Sequence, residues 1–386
     1  MNIQEYLSQV DGFINVYQER QVLEQARGDL SLPREFAARV VERLHPAEIP
    51  VIVGEVREET RSAKTFRLMA RDGYLPPFRA GQYIHWSVSV GGVRTGRAYS
   101  IASPPHERGF YEVTVQRQAG GFVSPFLLDE VEAGDEFSIS GPAGTFYHEP
   151  LMDGDELVFL AGGSGITPFR SLIRESVERG LPRRIWLLYG IRTPEDILYR
   201  RELSGIARAH DDVRVRFVCS EPPPGYRGPR GLIAAAAIRR FVGPPEGKTF
   251  YVCGPEAMYR FVLPELARLS VPRRRIHCEV SGPPANVAQE AGWPEAVRSD
   301  RMFQVSVAGH GTIPARAGEP LINALERSGL AVPSLCRSGE CGYCRMKLLS
   351  GQVFVPDRVA VRESDRWFNY IHACLTYPLS DLELRL

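Results

Sequence analysis

The chain has 386 residues, 47 Lys and Arg against 46 Asp and Glu, a formal net charge of +1 and 44% hydrophobic residues. This is the profile of a folded globular protein, not of a disordered or fibrous one, and at about 100 to 200 residues per domain it implies two to four domains, with three as the expectation. Near-neutral charge argues against nucleic acid or an anionic membrane as partner. No uncharged apolar run approaches the roughly 18 residues of a membrane span, and the opening residues do not read as a signal peptide, so a soluble, cytoplasmic protein is expected.

Residues 1–48 carry apolar side chains at helical spacing (Tyr6, Val10, Phe13, Tyr17, then Phe36, Val40, Val41, Leu44), broken at Pro33 and closed by Pro46, which predicts a helical N-terminal extension. Over 49–150 the texture changes to short alternating or β-branched runs, such as Tyr83 to Val88 and Tyr111 to Val115, separated by Gly and Pro. That predicts an antiparallel β-barrel domain. Over 151–280 apolar strands (Leu157 to Ala161, Ile185 to Tyr189, Val213 to Val218, Phe250 to Cys253) alternate with helical stretches, the pattern of a parallel α/β domain. Residues 281–301 lack periodicity and read as a linker. A compact α+β module over 302–386 follows, with a strand at Phe303 to Val307 and a helix at Leu321 to Arg327. Cys219 and Cys278 read as small buried residues and Trp186 and Trp367 as core aromatics.

The last module holds four of the seven cysteines, and Cys336, Cys341 and Cys344 with a distant Cys374 have the C-x4-C-x2-C…C spacing of plant-type [2Fe-2S] ligation. Four thiolates are what two irons and two sulfides need, and Gly339 and Gly342 let backbone amides approach the sulfur atoms. A structural four-cysteine zinc site is the alternative, although such sites usually show paired C-x2-C knuckles. The segment 302–386 resembles plant-type ferredoxins, which implies a β-grasp-like fold.

Upstream, Leu157 to Ala161 runs into Gly162-Gly163-Ser164-Gly165-Ile166-Thr167-Pro168, a strand, Gly-rich turn and helix start able to receive a pyrophosphate. A second strand ends in Cys253-Gly254-Pro255 at the same edge of the sheet. The β domain holds Arg97-Ala98-Tyr99-Ser100 and Gly120-Gly121-Phe122-Val123-Ser124. An arginine can pair with a phosphate, an aromatic ring can stack on a flat heterocycle and a hydroxyl can bond a ring nitrogen.

In this order and spacing the four segments resemble the ferredoxin-NAD(P)+ reductase family. The resemblance implies that Arg97 meets the flavin phosphate, Tyr99 stacks, Ser100 lies near flavin N5 and Gly121 to Ser124 cradle the pyrophosphate. It further implies that Gly162, Gly163, Gly165 and Thr167 form the nicotinamide nucleotide turn, that Cys253 and Gly254 lie beside the nicotinamide, and that Glu279 closes the flavin site. Ser100, Cys253 and Glu279 are thus the expected catalytic residues. The wording of the flavin segments is more like the FAD-binding members, with FMN as the alternative. Ser220 is followed by Glu221, whose carboxylate would repel a 2′-phosphate, so NADH is expected, with Arg192 as the residue that pulls the other way.

A nicotinamide delivers electrons in pairs and a [2Fe-2S] cluster takes one, and a flavin mediates between the two. The domain order therefore predicts NAD(P)H to FAD to [2Fe-2S] to a protein acceptor, and resembles the reductase components of bacterial oxygenases. Tethering raises the effective concentration of the cluster at the flavin, and the linker would let the cluster domain swing to the acceptor. The alternatives are a diaphorase or a flavin or ferric reductase with a small-molecule acceptor, and a redox-sensing docking protein. Residues 1–48 are expected to dock a partner or to oligomerise the chain.

Overall fold

The computed structural model describes residues 48–386 except Val280, Ser281, Ala285, Arg358 and Ala360, together with Gln21, Phe36, Val41 and Pro46. The chain divides into two compact units, Met1–Pro46 and Ala47–Leu386. Of the first, Gln21, Phe36 and Val41 are helical; the remainder of the expected helical extension, and the docking or oligomerising role assigned to it, lie outside the described residues.

The second unit begins with six strands, β1 (Ile49–Thr60), β2 (Ala63–Ala70), β3 (Tyr83–Val90), β4 (Val93–Ser100), β5 (Tyr111–Gln116) and β6 (Glu136–Ile139), in the antiparallel order β4-β3-β6-β1-β2-β5. A bridge from Ile101 to Val113 joins the chain just beyond β4 to β5, so the two edges of the sheet meet as in a barrel. Inward positions alternate along the strands, with Val51, Val53, Phe66, Leu68, Ile84, Trp86, Val113 and Val115 forming one core.

Five parallel strands follow: β7 (Glu156–Gly162), β8 (Arg184–Ile191), β9 (Val213–Cys219), β10 (Thr249–Cys253) and β11 (Ile276–Glu279), in the order β11-β10-β7-β8-β9. Leu157 to Ala161 of β7 are all buried because helices cover both faces of the sheet. From β7 the chain winds outward to β8 and β9, then returns to place β10 on the other side of β7. The crevice between the ends of β7 and β10 is therefore the point where strand order reverses, where ligands of open α/β sheets collect.

The third part is a mixed sheet of β12 (Met302–Val307), β13 (Gly311–Arg316), β14 (Arg345–Ser350), β16 (Tyr370–His372) and β18 (Leu382–Arg385), ordered β13-β12-β18-β14-β16, with β12 and β18 parallel. A two-stranded ribbon pairs β15 (Val353–Phe354) with β17 (Tyr377–Pro378). The helix Leu321–Arg327 buries Leu321, Ile322, Ala324 and Leu325 against this sheet. Within the segment expected as a linker, Trp293 meets Phe354 edge to face, and Val287 joins the same small cluster.

The two core tryptophans part company. Trp186 is 5% exposed on β8, whereas Trp367 is 78% exposed, a correction to its assignment as a core residue. Trp367 ends the short helix Glu363–Trp367, whose buried residue is Asp365, and one turn cannot bury both positions. Cys219 is buried, and Cys278 is only partly so.

Candidate functional site

Three segments far apart in sequence meet where the barrel abuts the parallel sheet. Ser100 ends β4, Cys253 ends β10 and Glu279 ends β11. The Ser100 hydroxyl donates to Glu279 Oε2 at 3.4 Å, and the Cys253 thiol donates to the same oxygen at 3.5 Å. Burial raises the Glu279 carboxyl to about 8, against the opposing pull of these two hydrogen bonds. It therefore holds a proton at neutral pH. Burial, reinforced by Glu279, pushes the Cys253 thiol well up, so that it stays protonated as well.

The Gly-rich turn and the Cys-Gly-Pro turn touch backbone to backbone. A side chain on Gly165 would lie 2.2 Å from the Cys253 carbonyl oxygen, and only glycine permits that approach. Thr167 Oγ1 donates to the Ser164 carbonyl at 2.9 Å, and Pro168 occupies the first turn of the helix Thr167–Glu178. Gln116, at the end of β5, accepts from the Ser164 amide at 3.0 Å and so ties this turn to the barrel. Tyr259 accepts from the Gly254 amide at 3.2 Å and donates to the Glu279 carbonyl. Sequence reading did not single out Gln116 or Tyr259, because neither stands in a motif and each acts through a contact between distant segments.

On the barrel, Arg97 is partly buried. Its guanidinium donates to Thr95 Oγ1 at 2.9 Å and to the Gly96 carbonyl at 2.6 Å. Burial, with Arg337 nearby, lowers its pKa to about 10. Among the described residues no carboxylate is hydrogen-bonded to this cation, which fits it to an anionic phosphate. Tyr99 lies beside it on the strand, edge-on to Trp86, and Ala98 separates the two with a small side chain. Gly120 turns the chain with φ of 66°, and the Ser124 hydroxyl accepts from the Gln118 amide at 2.9 Å, fixing Gly120, Gly121, Phe122 and Val123 at the start of the helix Val123–Asp129.

The four cysteines of the last domain group two and two. The Cys336 and Cys341 thiols interact electrostatically with one another, as do those of Cys344 and Cys374. The Cys341 thiol, with the backbone amides of Ser338 and Cys341, holds Cys336 below the usual thiol range, and Cys374 does the same for Cys344. Gly339 and Gly342 both take positive φ, 83° and 74°, and the Ser338 and Cys341 amides donate to Cys336 Sγ at 3.3 and 3.4 Å. The C-x4-C-x2-C…C spacing of the four cysteines is that of a two-iron cluster rather than of paired zinc knuckles.

Three family models match in the same order: the oxidoreductase FAD-binding domain over residues 52–148, the oxidoreductase NAD-binding domain over 159–263 and the 2Fe-2S iron-sulfur cluster binding domain over 305–379. The chain is 30% identical over 345 residues to the ferredoxin reductase component of 3-ketosteroid-9-alpha-monooxygenase from Mycobacterium tuberculosis, which spans 85% of this chain and 93% of the relative. The chain belongs to the ferredoxin-NAD(P)+ reductase family, in its form with a C-terminal [2Fe-2S] domain. This reductase is also 29% identical over 345 residues to the glycine betaine monooxygenase reductase subunit of Chromohalobacter salexigens, covering 86% of this chain and 93% of that one. Phthalate dioxygenase reductase superposes with a TM-score of 0.65 at 25% identity, covering 88% of this chain and 98% of the other. The reductase is thus an NAD(P)H-dependent electron-transfer enzyme that works through FAD and a [2Fe-2S] cluster. No helix among its described residues is long and apolar enough to cross a membrane.

Proposed function

We propose that this reductase takes electrons from NADH and delivers them singly, at its cluster domain, to an oxygenase in the cytoplasm. The observation that carries this reading is the meeting of Ser100, Cys253 and Glu279 at the junction of barrel and sheet, beside a barrel strand against which the cluster loop is seated. The oxygenase as acceptor rests on the relatives, which are named as oxygenase reductase components. Bound FAD supplies the conversion between paired and single electrons.

The chain's own residues orient, hold and exclude. Arg97 would hold the flavin phosphate, Tyr99 would flank the ring, and Gly120, Gly121, Phe122, Val123 and Ser124 would receive the pyrophosphate. Gly162, Gly163, Gly165, Thr167 and Pro168 would hold the nucleotide phosphates at the helix start, with Cys253, Gly254 and Pro255 along the nicotinamide side. Glu279 keeps a proton within reach of the Ser100 hydroxyl, and the neutral Cys253 thiol keeps negative charge away from an arriving hydride donor. Cys336, Cys341, Cys344 and Cys374 would hold the cluster.

The NADH preference rests on Glu221, whose amide donates to the Arg192 carbonyl at 2.9 Å, at the end of β9. Arg192 itself lies 3.9 Å from Asp196, which offsets its charge. NADPH is the second reading, favoured by Arg227 and Arg230 on the loop that follows, which line a cavity of about 960 Å³ with Arg200, Arg216 and Arg240. The deciding experiment is anaerobic titration with NADH and with NADPH, followed by visible absorbance and EPR, after the flavin has been released and identified. Flavin bleaching with a one-electron [2Fe-2S] signal, at lower NADH than NADPH, is expected. Bleaching without a cluster signal would overturn the proposal in favour of a small-molecule acceptor.

A further inference from the structure

The residue behind Arg97 belongs to a hydrogen-bond relay that leaves the flavin domain. Arg97 Nη1 donates to Thr95 Oγ1 at 2.9 Å, and the Thr95 hydroxyl donates to Glu326 Oε2 at 2.8 Å, on the helix Leu321–Arg327 of the ferredoxin domain. Glu326 also accepts from Arg337 Nη1 at 2.5 Å and Nη2 at 3.1 Å, and Arg337 is the residue that follows Cys336. Thr95, Glu326 and Arg337 are all buried, at 7%, 7% and 5% exposure.

The direction of this relay is forced. Arginine only donates and an ionised carboxylate only accepts, so the single Thr95 proton must point to Glu326 while its lone pair faces Arg97. Arg337 sits at φ of 53°, a left-handed conformation costly for a side chain of this size, and its guanidinium is fixed from two sides by Glu326 and by Asn323 Oδ1 at 2.8 Å. A second contact runs in parallel: the buried His85 ring lies against Gly96, where a side chain would come within 2.3 Å of Nε2, and its Nδ1 is 3.0 Å from the Leu335 carbonyl. The second contact reaches the Cys336 loop directly, and the first reaches it through the helix residue Glu326 and its pair with Arg337.

We propose that Thr95 and Glu326 form a clasp that couples phosphate occupancy at Arg97 to docking of the cluster loop on the flavin domain. Both are positioning residues. The inference rests on the reading of Arg97 as the flavin phosphate partner and extends it. An anion at Arg97 settles the guanidinium, which settles the Thr95 hydroxyl and hence the Glu326–Arg337 pair; linkage then requires a docked loop to favour flavin binding by the same factor. An ion pair serving only the ferredoxin domain would need neither Thr95 nor Arg97.

The test is amide hydrogen exchange of the Leu335–Glu340 loop in the full chain, stripped of flavin and then titrated with FAD. In the wild type FAD should slow exchange of this loop about tenfold, the factor that about 1.4 kcal/mol produces in an equilibrium. Thr95→Val keeps the volume and the Glu326–Arg337 pair but lacks the hydroxyl, so the FAD effect should shrink to near onefold, and Thr95→Ser should restore it. Loop exchange that ignores FAD in the wild type, or a Thr95→Val protein that keeps the full FAD effect, overturns the clasp. If Thr95→Val fails to fold, Glu326→Gln decides on the same readout. A wild type that takes up FAD and protects its loop yet is not reduced by NAD(P)H would sink the functional reading and leave the clasp standing.

Discussion

Two seams hold the second unit together, and they are built differently. The flavin and nucleotide domains share a hydrophobic core: Ala63, Ala80, Ala102 and Phe146 of the barrel lie in one cluster with Phe159, Phe169 and Tyr251 of the sheet. A buried guanidinium nails it, since Arg170 donates to Glu112 at 2.7 Å, to Glu202 at 2.8 Å and to the Ala102 carbonyl at 3.1 Å. The flavin and ferredoxin domains keep separate cores. Among the described residues, the side-chain hydrogen bonds between them are His85 to Leu335 and Thr95 to Glu326. The chemistry on each side accounts for the difference. Hydride transfer demands reacting groups fixed to a fraction of an ångström, whereas a cluster that must meet an external acceptor needs a seam that can open.

Disabling the cluster domain and the flavin–nucleotide seam separately should produce opposite failures. The largest effect is expected from Cys341→Ser, which should abolish cluster-dependent one-electron transfer while flavin reduction by nicotinamide proceeds at the wild-type rate. Loss of both activities in a folded variant would mean that the two halves are not separable. Next comes Arg170→Ala. It strips Glu112, buried at 3% exposure, of its closest partner and leaves Arg67 at 3.1 Å and Arg57 at 3.6 Å to compensate. The expected cost is about 3 kcal/mol of stability, the low end for breaking a buried pair, with hydride transfer slowed and the cluster EPR signal intact. An unchanged melting temperature would show the shared apolar core to be sufficient on its own.

How much of this was legible in the sequence follows the same division. Glycines that permit backbone contact, a cysteine triplet and an Arg-x-Tyr-Ser strand are local signals, and they mark Gly165, Cys341 and Arg97 directly. The strands of the parallel sheet were legible too, because full burial makes them continuous apolar runs. What joins the domains was not. Arg170 stands mid-helix like any surface arginine, Thr95 and Glu326 are separated by 231 positions, and Tyr259 reaches Glu279 only because β10 and β11 are neighbours. Gly96 did carry a signal, a glycine inside a strand, which often marks close backbone approach; here the His85 ring lies against it. Trp367 misled because an aromatic residue in a short helix says nothing about which side of that helix is covered.

A third variant sharpens the first seam. Glu279, with its pKa raised to about 8 mainly by burial, is protonated in the folded protein between its ordinary value near 4.5 and 8. The folded state binds more protons than the unfolded one in that window, so the Glu279 contribution to stability is complete below 4.5 and is lost as pH rises through 8. Relative to Glu279→Gln, the wild type should lose stability across that range. The rate of flavin reduction should step near pH 8 in the wild type and run flat in the variant. A step that survives Glu279→Gln would assign the titration to another group.

The smallest effect belongs to a residue outside both seams. Glu221 is exposed at the end of β9, so solvent screens its repulsion of a 2′-phosphate to about 0.5 to 1 kcal/mol. Glu221→Gln should therefore improve kcat/KM for NADPH roughly two- to fivefold and leave NADH nearly unchanged. The gain should appear in KM alone, because the charge removed lies at the adenosine end of the nucleotide and not beside Ser100, Cys253 and Glu279. A change in the saturating rate of flavin reduction would mean that the far edge of the sheet is coupled to the junction with the barrel. A wild type that already prefers NADPH would instead give Arg227 and Arg230 the deciding role, and Glu221→Gln should then add little.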